Sequence, residues 1–572
     1  MDAANLTRFR GRSSTPTATQ SNASLDSRFV DETLGLSRSF PCSKEENWME
    51  NEMVLAAVKK TLLFLATVIS SQAVIDCAAV AEVNVVDEYG VMREEDAGPN
   101  ETFDNLDAIQ NALDAADGNQ HDLYFPAGTY RVVCKKVVSS VFNERREGSL
   151  YFSRGNVKLR FENGAKILAV QESETHYQPL FIARTVHNIV FEGLTVEWEG
   201  QFLLRDNSGN GYFALGLEAA NRNAILLFSN CNGCRVTNIT TRGADEDQCY
   251  NHGIFTEDCF DFVVDGVIAE HYGSWWFAKA DNENDPDYSN LPGTGVTIKN
   301  GFFEKQSLRT LNQYGPGHPV YTFSDHFHLE NLCETGVLQN YSEDVLNVAQ
   351  DGRIETQNGR FDDTYRFQVY DNGGNLIDDE FVMRNKVGRT FELFSTQTDA
   401  PPPVGISKVE YTPGSAGHTI KIREFSSPLD GIVVKDITSK SPGGLIIITD
   451  DVKGEFTNLE WDAPYPFYQS SIGGTAILNF QGSTFSEGIY DCVFDGVTCI
   501  DAFGADLRYM TLRGANNQFL NHSIDTSGEA IFHLTAAYDN TIECEVVSGK
   551  GFVLIDKKNS GNTVEIDNVA PQ

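Results

Sequence analysis

The runs Cys234-Arg-Val-Thr-Asn-Ile239, Phe260-Asp-Phe-Val-Val-Asp265 and Gly295-Val-Thr-Ile-Lys299 decide the fold. Each is a short stretch of β-forming residues bounded by Asn, Asp or Gly, and most are followed within a few residues by another short run. The same unit is written earlier in Asn156–Phe161 and Asn188–Glu192. After a gap it returns in Gly431–Lys435, Leu445–Thr449, Tyr490–Phe494, Gly528–Phe532 and Gly551–Ile555. So small a unit cannot bury its apolar face alone. It predicts coils of roughly 20 to 30 residues, stacked so that their strands form parallel ladders about 4.8 Å apart. A propeller blade would repeat over about 40 to 45 residues, which is too long.

Two segments depart from the repeat. Asn105–Ala116 places Leu106, Ile109, Leu113 and Ala116 on one helical face and ends before Gly118, a helix suited to covering the open end of a solenoid. From about Asn347 to Pro428 the alternating runs Tyr365–Tyr370, Thr390–Phe394 and His418–Arg423 are split by Gly373-Gly374 and Ala400-Pro-Pro-Pro403. They read as an inserted antiparallel β subdomain.

The chain has 572 residues, 41% of them hydrophobic and 22% charged, a globular composition. Lys and Arg number 44 against 81 Asp and Glu, and the net charge of -37 excludes nucleic acid as a natural partner. Residues 1–52 are polar and Ser/Thr-rich, an extension outside the fold. Residues 53–81 read as a signal peptide, with Lys59 and Lys60, the apolar run Thr61–Ile69 and the small-residue pattern Ala79-Val80-Ala81. A secreted or periplasmic protein starting at Glu82, with no membrane span, is the expectation. The parallel β-helix would then occupy 82–348 and 429–572, interrupted by the insertion at 349–428. Cys231-x-x-Cys234, Cys249 and Cys259 lack the second close pair of a zinc ribbon, so buried thiols or one local disulfide are expected.

The densest polar cluster is Ser324–Val348. Asp325 and Asp344 are 19 residues apart, about one coil, which predicts that they stack on neighbouring strands with Glu343 beside them. Paired carboxyls are what glycoside cleavage needs, one to protonate the leaving oxygen and one to activate water or attack carbon. Turn-capping Asp is the structural alternative for any one of them. A second cluster holds His252, then Trp275 and Trp276 as stacking surfaces for sugar, with Lys279 and Asp281. His318, Arg309, His326 and His328 add possible contacts to hydroxyl or sulfate groups. No cofactor is expected, although Asp281, Glu283 and Asp285 could hold calcium.

The segments Val83–Gly90, Asp107–Asp114 and Leu123–Tyr130 resemble the opening of the pectate-lyase-like superfamily. The resemblance implies an all-β, right-handed parallel β-helix. It does not choose a reaction, because hydrolases, lyases, epimerases and tailspikes share that fold. The Asp325 to Val348 segment is similar to glycoside hydrolase family 110, β-helix enzymes that release terminal α-1,3-linked galactose. The matching positions are Asp325, His326-Phe327 or His328, Glu343-Asp344 and Asn347-Val348. This similarity implies an inverting, exo-acting hydrolase with Asp344 as general acid, and with Asp325 and Glu343 assisting the attacking water. Two other readings stand beside it. A polysaccharide lyase would use Lys279, Arg309 or Tyr321 as base on a uronate, and a non-catalytic adhesin would only bind glycan.

Overall fold

The computed structural model describes residues 82–98, 103–119, 121–135, 149–171, 179–199, 224–244, 250, 252–279, 293–306, 318–336, 341–348, 353–356, 366–377, 381–387, 389–395, 398, 400–402, 405–412, 418–423, 428–441, 443–463, 476–481, 488–501, 507–526, 528–555 and 558–568. The expected extension and signal peptide lie outside these residues.

A parallel β-helix forms the body of the molecule, as the repeat predicts. Its described strands make a 17-stranded and a 13-stranded sheet, here the first and second sheets. One coil shows the pattern: His252–Glu257 lies in the second sheet, Val263–Tyr272 in the first, and Trp276–Lys279 returns to the second one step along. The register keeps like residues above like. Val264, Ile298, Leu329, Val434, Phe456, Phe494 and Phe519 succeed one another on adjacent first-sheet strands. All are buried, and the rings of Phe456 and Phe494 stack with centroids 4.2 Å apart. Strand alternation turns every second side chain into this stack, so the apolar pattern of each short run becomes one continuous core.

The first-sheet strands bend at one position per coil. Asn238, Gly266, Asn300, Asn331, Asp436, Asn458 and Asn521 stand there with φ between 52° at Asn458 and 80° at Gly266. Asn, Asp and Gly tolerate the left-handed region best, which explains why these residues punctuate the sequence. Their side chains are also tied together, with Asn331 Nδ2 donating to Asn300 Oδ1 and Asn300 Nδ2 to Asp265 Oδ1, each at 2.7 Å.

The helix Leu106–Asn119 forms where expected and runs slightly longer. Leu106, Ile109, Leu113 and Ala116 are all buried against the first coils. The other end differs. Lys550–Ile555 and Thr563–Asn568 each pair on one side only among the described residues, and Phe552 and Ile555 are 47% and 64% exposed.

The insertion is a closed antiparallel barrel of six strands, beginning at Tyr341–Val348 and ending at Ile406–Thr412. It has its own core of Ile354, Phe367, Val369, Phe391, Leu393 and Val409. The boundaries expected at 349 and 428 are therefore corrected at both ends. Tyr341–Val348 belongs to the barrel, and Ile420–Arg423 is a parallel second-sheet strand between Val320–Thr322 and Ile446–Thr449. Alternation alone does not separate the two settings, because both put every second residue inward.

Candidate functional site

The barrel boundary dissolves the expected carboxylate pair. Glu343 and Asp344 lie on its first strand, where Asp344 is exposed and stands opposite Lys408. Asp325 stays on the β-helix, in the turn after Val320–Thr322, and the residue stacked beyond it is Asp430, whose N–H donates to Asp325 Oδ1 at 2.7 Å. The coil that follows Asp325 resumes after the barrel, so 19 residues of sequence do not correspond to one turn of the solenoid here. Asp325 caps a turn, and Asp344 sits on a barrel strand with Lys408 as its cross-strand neighbour.

The tryptophans are also reassigned. Trp275 and Trp276 are fully buried; Trp275 Nε1 donates to Thr241 Oγ1 at 2.9 Å, and Trp276 packs edge-on against Phe262. Neither offers a face to a sugar. His252 is buried with Nδ1 donating to the Ser274 carbonyl at 2.8 Å, and burial pushes its pKa down to about 4. His326 is exposed beside Asp325, and His328 projects from the first sheet 3.4 Å from Glu330. They are not brought together with His252. Asp281, Arg309 and the calcium candidates Glu283 and Asp285 lie outside the described residues. Among the described residues no group of three metal-ligating side chains forms. Cys231, Cys234 and Cys259 are buried free thiols.

A different group of residues converges on the outward face of the second sheet. In Ile420–Arg423 the two isoleucines point into the core, so Lys421 and Arg423 share the opposite face. Register places Lys421 beside Tyr321, Tyr321 beside position 277, and that beside Phe255. The neighbouring row carries Glu257 next to Lys279. Lys421 Nζ lies 4.5 Å from the Tyr321 ring centroid, a cation held on an aromatic face. Phe323 packs on Tyr321 with ring centroids 4.9 Å apart, and His318 meets the same ring edge-on at 5.8 Å.

The electrostatics follow from partial burial. Removal from water, and then the Arg423 charge, lowers the Lys421 pKa below its ordinary value. Burial raises that of Tyr321, opposed by its hydrogen bond with Arg423. His318 donates from Nδ1 to the His418 carbonyl at 2.9 Å and is held neutral by burial and by the Lys421 charge. Arg423 itself is exposed. At the other end of the face Glu257 is 2% exposed and Asp258, in the following turn, 7%. The arrangement therefore sets a half-buried amine, a phenol and an accessible guanidinium beside an aromatic strip, with buried carboxyls several coils away.

Sequence reading named Tyr321 and Lys279 but missed Lys421 and Arg423. The available signal is Ile420-Lys-Ile-Arg423 itself, a strand with both cations on one face, hidden because the alternating run His418–Arg423 reads equally well as part of the insertion.

No protein-family model and no curated protein sequence matches the chain. Among solved structures it is similar to the surface protein and adhesin PfbA of Streptococcus pneumoniae, at 12% identity, TM-score 0.38, covering 86% of this chain and 99% of that one. A family 28 exopolygalacturonase of Yersinia enterocolitica aligns at 14% identity and TM-score 0.34, covering 86% of this chain and 78% of that one. The A-module of a mannuronan C-5 epimerase of Azotobacter vinelandii aligns at 11% identity and TM-score 0.35, over 86% and 99% of the two chains.

Proposed function

We propose that the chain is a carbohydrate-active enzyme working at the outward face of the second sheet, and that it cleaves an acidic glycan by β-elimination. The observation that carries the reading is the Tyr321, Lys421 and Arg423 cluster, a local concentration of cationic side chains on a strongly acidic molecule. Arg423 is accessible and planar, suited to holding a uronate carboxylate through paired N–H groups. Lys421, with its lowered pKa, is the base that removes the proton on the carbon next to that carboxylate. Tyr321, kept protonated by burial, gives its proton to the departing glycosidic oxygen. The carbon–oxygen bond breaks as the ring double bond forms, and no water is consumed.

Activity should rise with pH as the Lys421 ammonium loses its proton, and Lys421→Ala should lower kcat by about 100-fold or more, in the range of lost general-base catalysis. Arg423→Lys should chiefly raise KM, because a single ammonium does not reproduce the paired N–H contacts. The experiment is incubation with uronate-containing and with neutral glycans, following ultraviolet absorbance of an unsaturated product and release of reducing sugar.

Hydrolysis is the second reading, favoured by the burial of Glu257 and Asp258 on and beside the same face. A carboxyl shielded from water is the placement that a proton donor to a glycosidic oxygen requires. Reducing sugar without an unsaturated product, lost in Glu257→Gln and kept in Lys421→Ala, would establish that reading and overturn elimination. The exo-acting, inverting, galactose-releasing form needs Asp325 and Asp344 stacked on neighbouring strands, and Asp430 takes that place beside Asp325 instead.

A further inference from the structure

The first sheet carries a second concave feature, remote from Tyr321 and Lys421 in the coil. Where its strands bend, a cleft of about 430 Å³ opens, lined among others by Asn238, Ile268, Asn300, Phe302, Asn331 and Cys333. Two parallel rows make its walls. Ile268, Phe302 and Cys333 stand on successive strands in register, and Ile268 and Phe302 are 48% and 39% exposed although each belongs to a strand centre. The other row is the left-handed bend itself, where Asn238, Asn300 and Asn331 are exposed. Gly266 interrupts that row, and a Cβ there would lie 2.7 Å from Asn238 Oδ1.

We infer that this cleft is a carbohydrate-binding site, distinct from the proposed catalytic face, that takes a neutral oligosaccharide lying along the solenoid axis. Three features select that ligand. Pyranose rings present an apolar C–H face to aromatic and aliphatic surface and hydroxyls at their edge, and the cleft offers an apolar row facing an amide row. Amides donate and accept, so they suit hydroxyl groups. Both rows repeat at the coil spacing of about 4.8 Å, close to the length of one ring in a glycan chain. The nearby charges are already neutralised, with Lys299 3.0 Å from Asp265 and Lys435 2.8 Å from Glu330. None of the described residues lining the cleft is charged, so an anionic ligand would find no cation in its walls and would meet a chain of net charge -37.

The inference does not rest on the elimination reading, because binding is measured separately from turnover. Titration calorimetry of the full chain with cello-, xylo-, manno- and malto-hexaose is the test, repeated with Phe302→Ala and Asn331→Ala. One of these hexaoses should bind, with affinity reduced at least tenfold in Phe302→Ala, while the thermal midpoint and any turnover on a short soluble substrate stay unchanged. Failure of all four to bind, or equal binding by Phe302→Ala, would overturn the inference. So would a concentration-dependent dimer, seen by analytical ultracentrifugation and abolished by Ile268→Asp, since the apolar row would then be a contact between two copies.

Discussion

Glu334 is 1% exposed inside the solenoid, where it accepts hydrogen bonds from the Thr419 and Ser439 hydroxyls. Burial raises its pKa to about 7, with the two hydroxyls opposing. Because the folded value lies above the unfolded one, its contribution to stability is fully present below about pH 4.5 and is lost as pH rises through about 7. Glu334→Gln should therefore be more stable than the parent at pH 8 by on the order of 3 kcal/mol, with the gap closing at pH 5. Chemical denaturation at the two pH values checks this. Buried His252, His418 and His522 run the other way. Their pKa values are pushed down to about 4, so they support the fold above about 6.5 and cost stability as pH falls from there to 4. A falling midpoint across that window is the expected outcome. None of these roles was legible in the sequence, because a lone Glu or His in a β run carries no sign of which way it faces until register is known.

Elements were far more legible than partners. The short runs and the helix with its face of Leu106, Ile109, Leu113 and Ala116 were readable because period and punctuation are local properties. Which strand follows which in space is not local, and one displaced boundary removed Lys421 and Arg423 from view while joining Asp325 to Asp344. The coils also hold buried ladders that composition does not announce. Asn517 Nδ2 donates to Asn540 Oδ1 and Asn540 Nδ2 to Asn562 Oδ1, each at 2.8 Å, and Asn540 also receives the Asn517 N–H. Asn540→Ala leaves that buried N–H and one of the two N–H groups of the Asn517 amide without an acceptor, the other keeping the Ile489 carbonyl at 3.0 Å. It should cost about 2 to 4 kcal/mol, several times a surface Asn→Ala change, as measured by urea denaturation.

At the scale of the molecule, the barrel is an excursion whose two ends meet. Glu334, just before it, is hydrogen-bonded to Thr419, just after it, and the strands on either side pair directly, Val320 with Ile420 and Leu329 with Val434. The barrel core and the solenoid core are separate clusters. Replacing residues 337–417 by a short Gly/Ser linker should therefore leave the β-helix folded, with a thermal midpoint within a few degrees of the parent and its far-ultraviolet β signature intact. Scanning calorimetry would show it. Loss of cooperative unfolding would mean that the barrel is needed to hold the neighbouring coils together.

The two ends of the solenoid also differ in how they can come apart. At one end a helix covers the stack; at the other, two strands each pair on one side only among the described residues. In an array where each coil is held only by its neighbours, loss begins where one neighbour is missing. Fraying should therefore have a direction. Amide exchange ought to be quickest in Lys550–Ile555 and Thr563–Asn568 and to slow coil by coil toward the helix-covered end, so that the molecule unwinds from one side like thread from a spool.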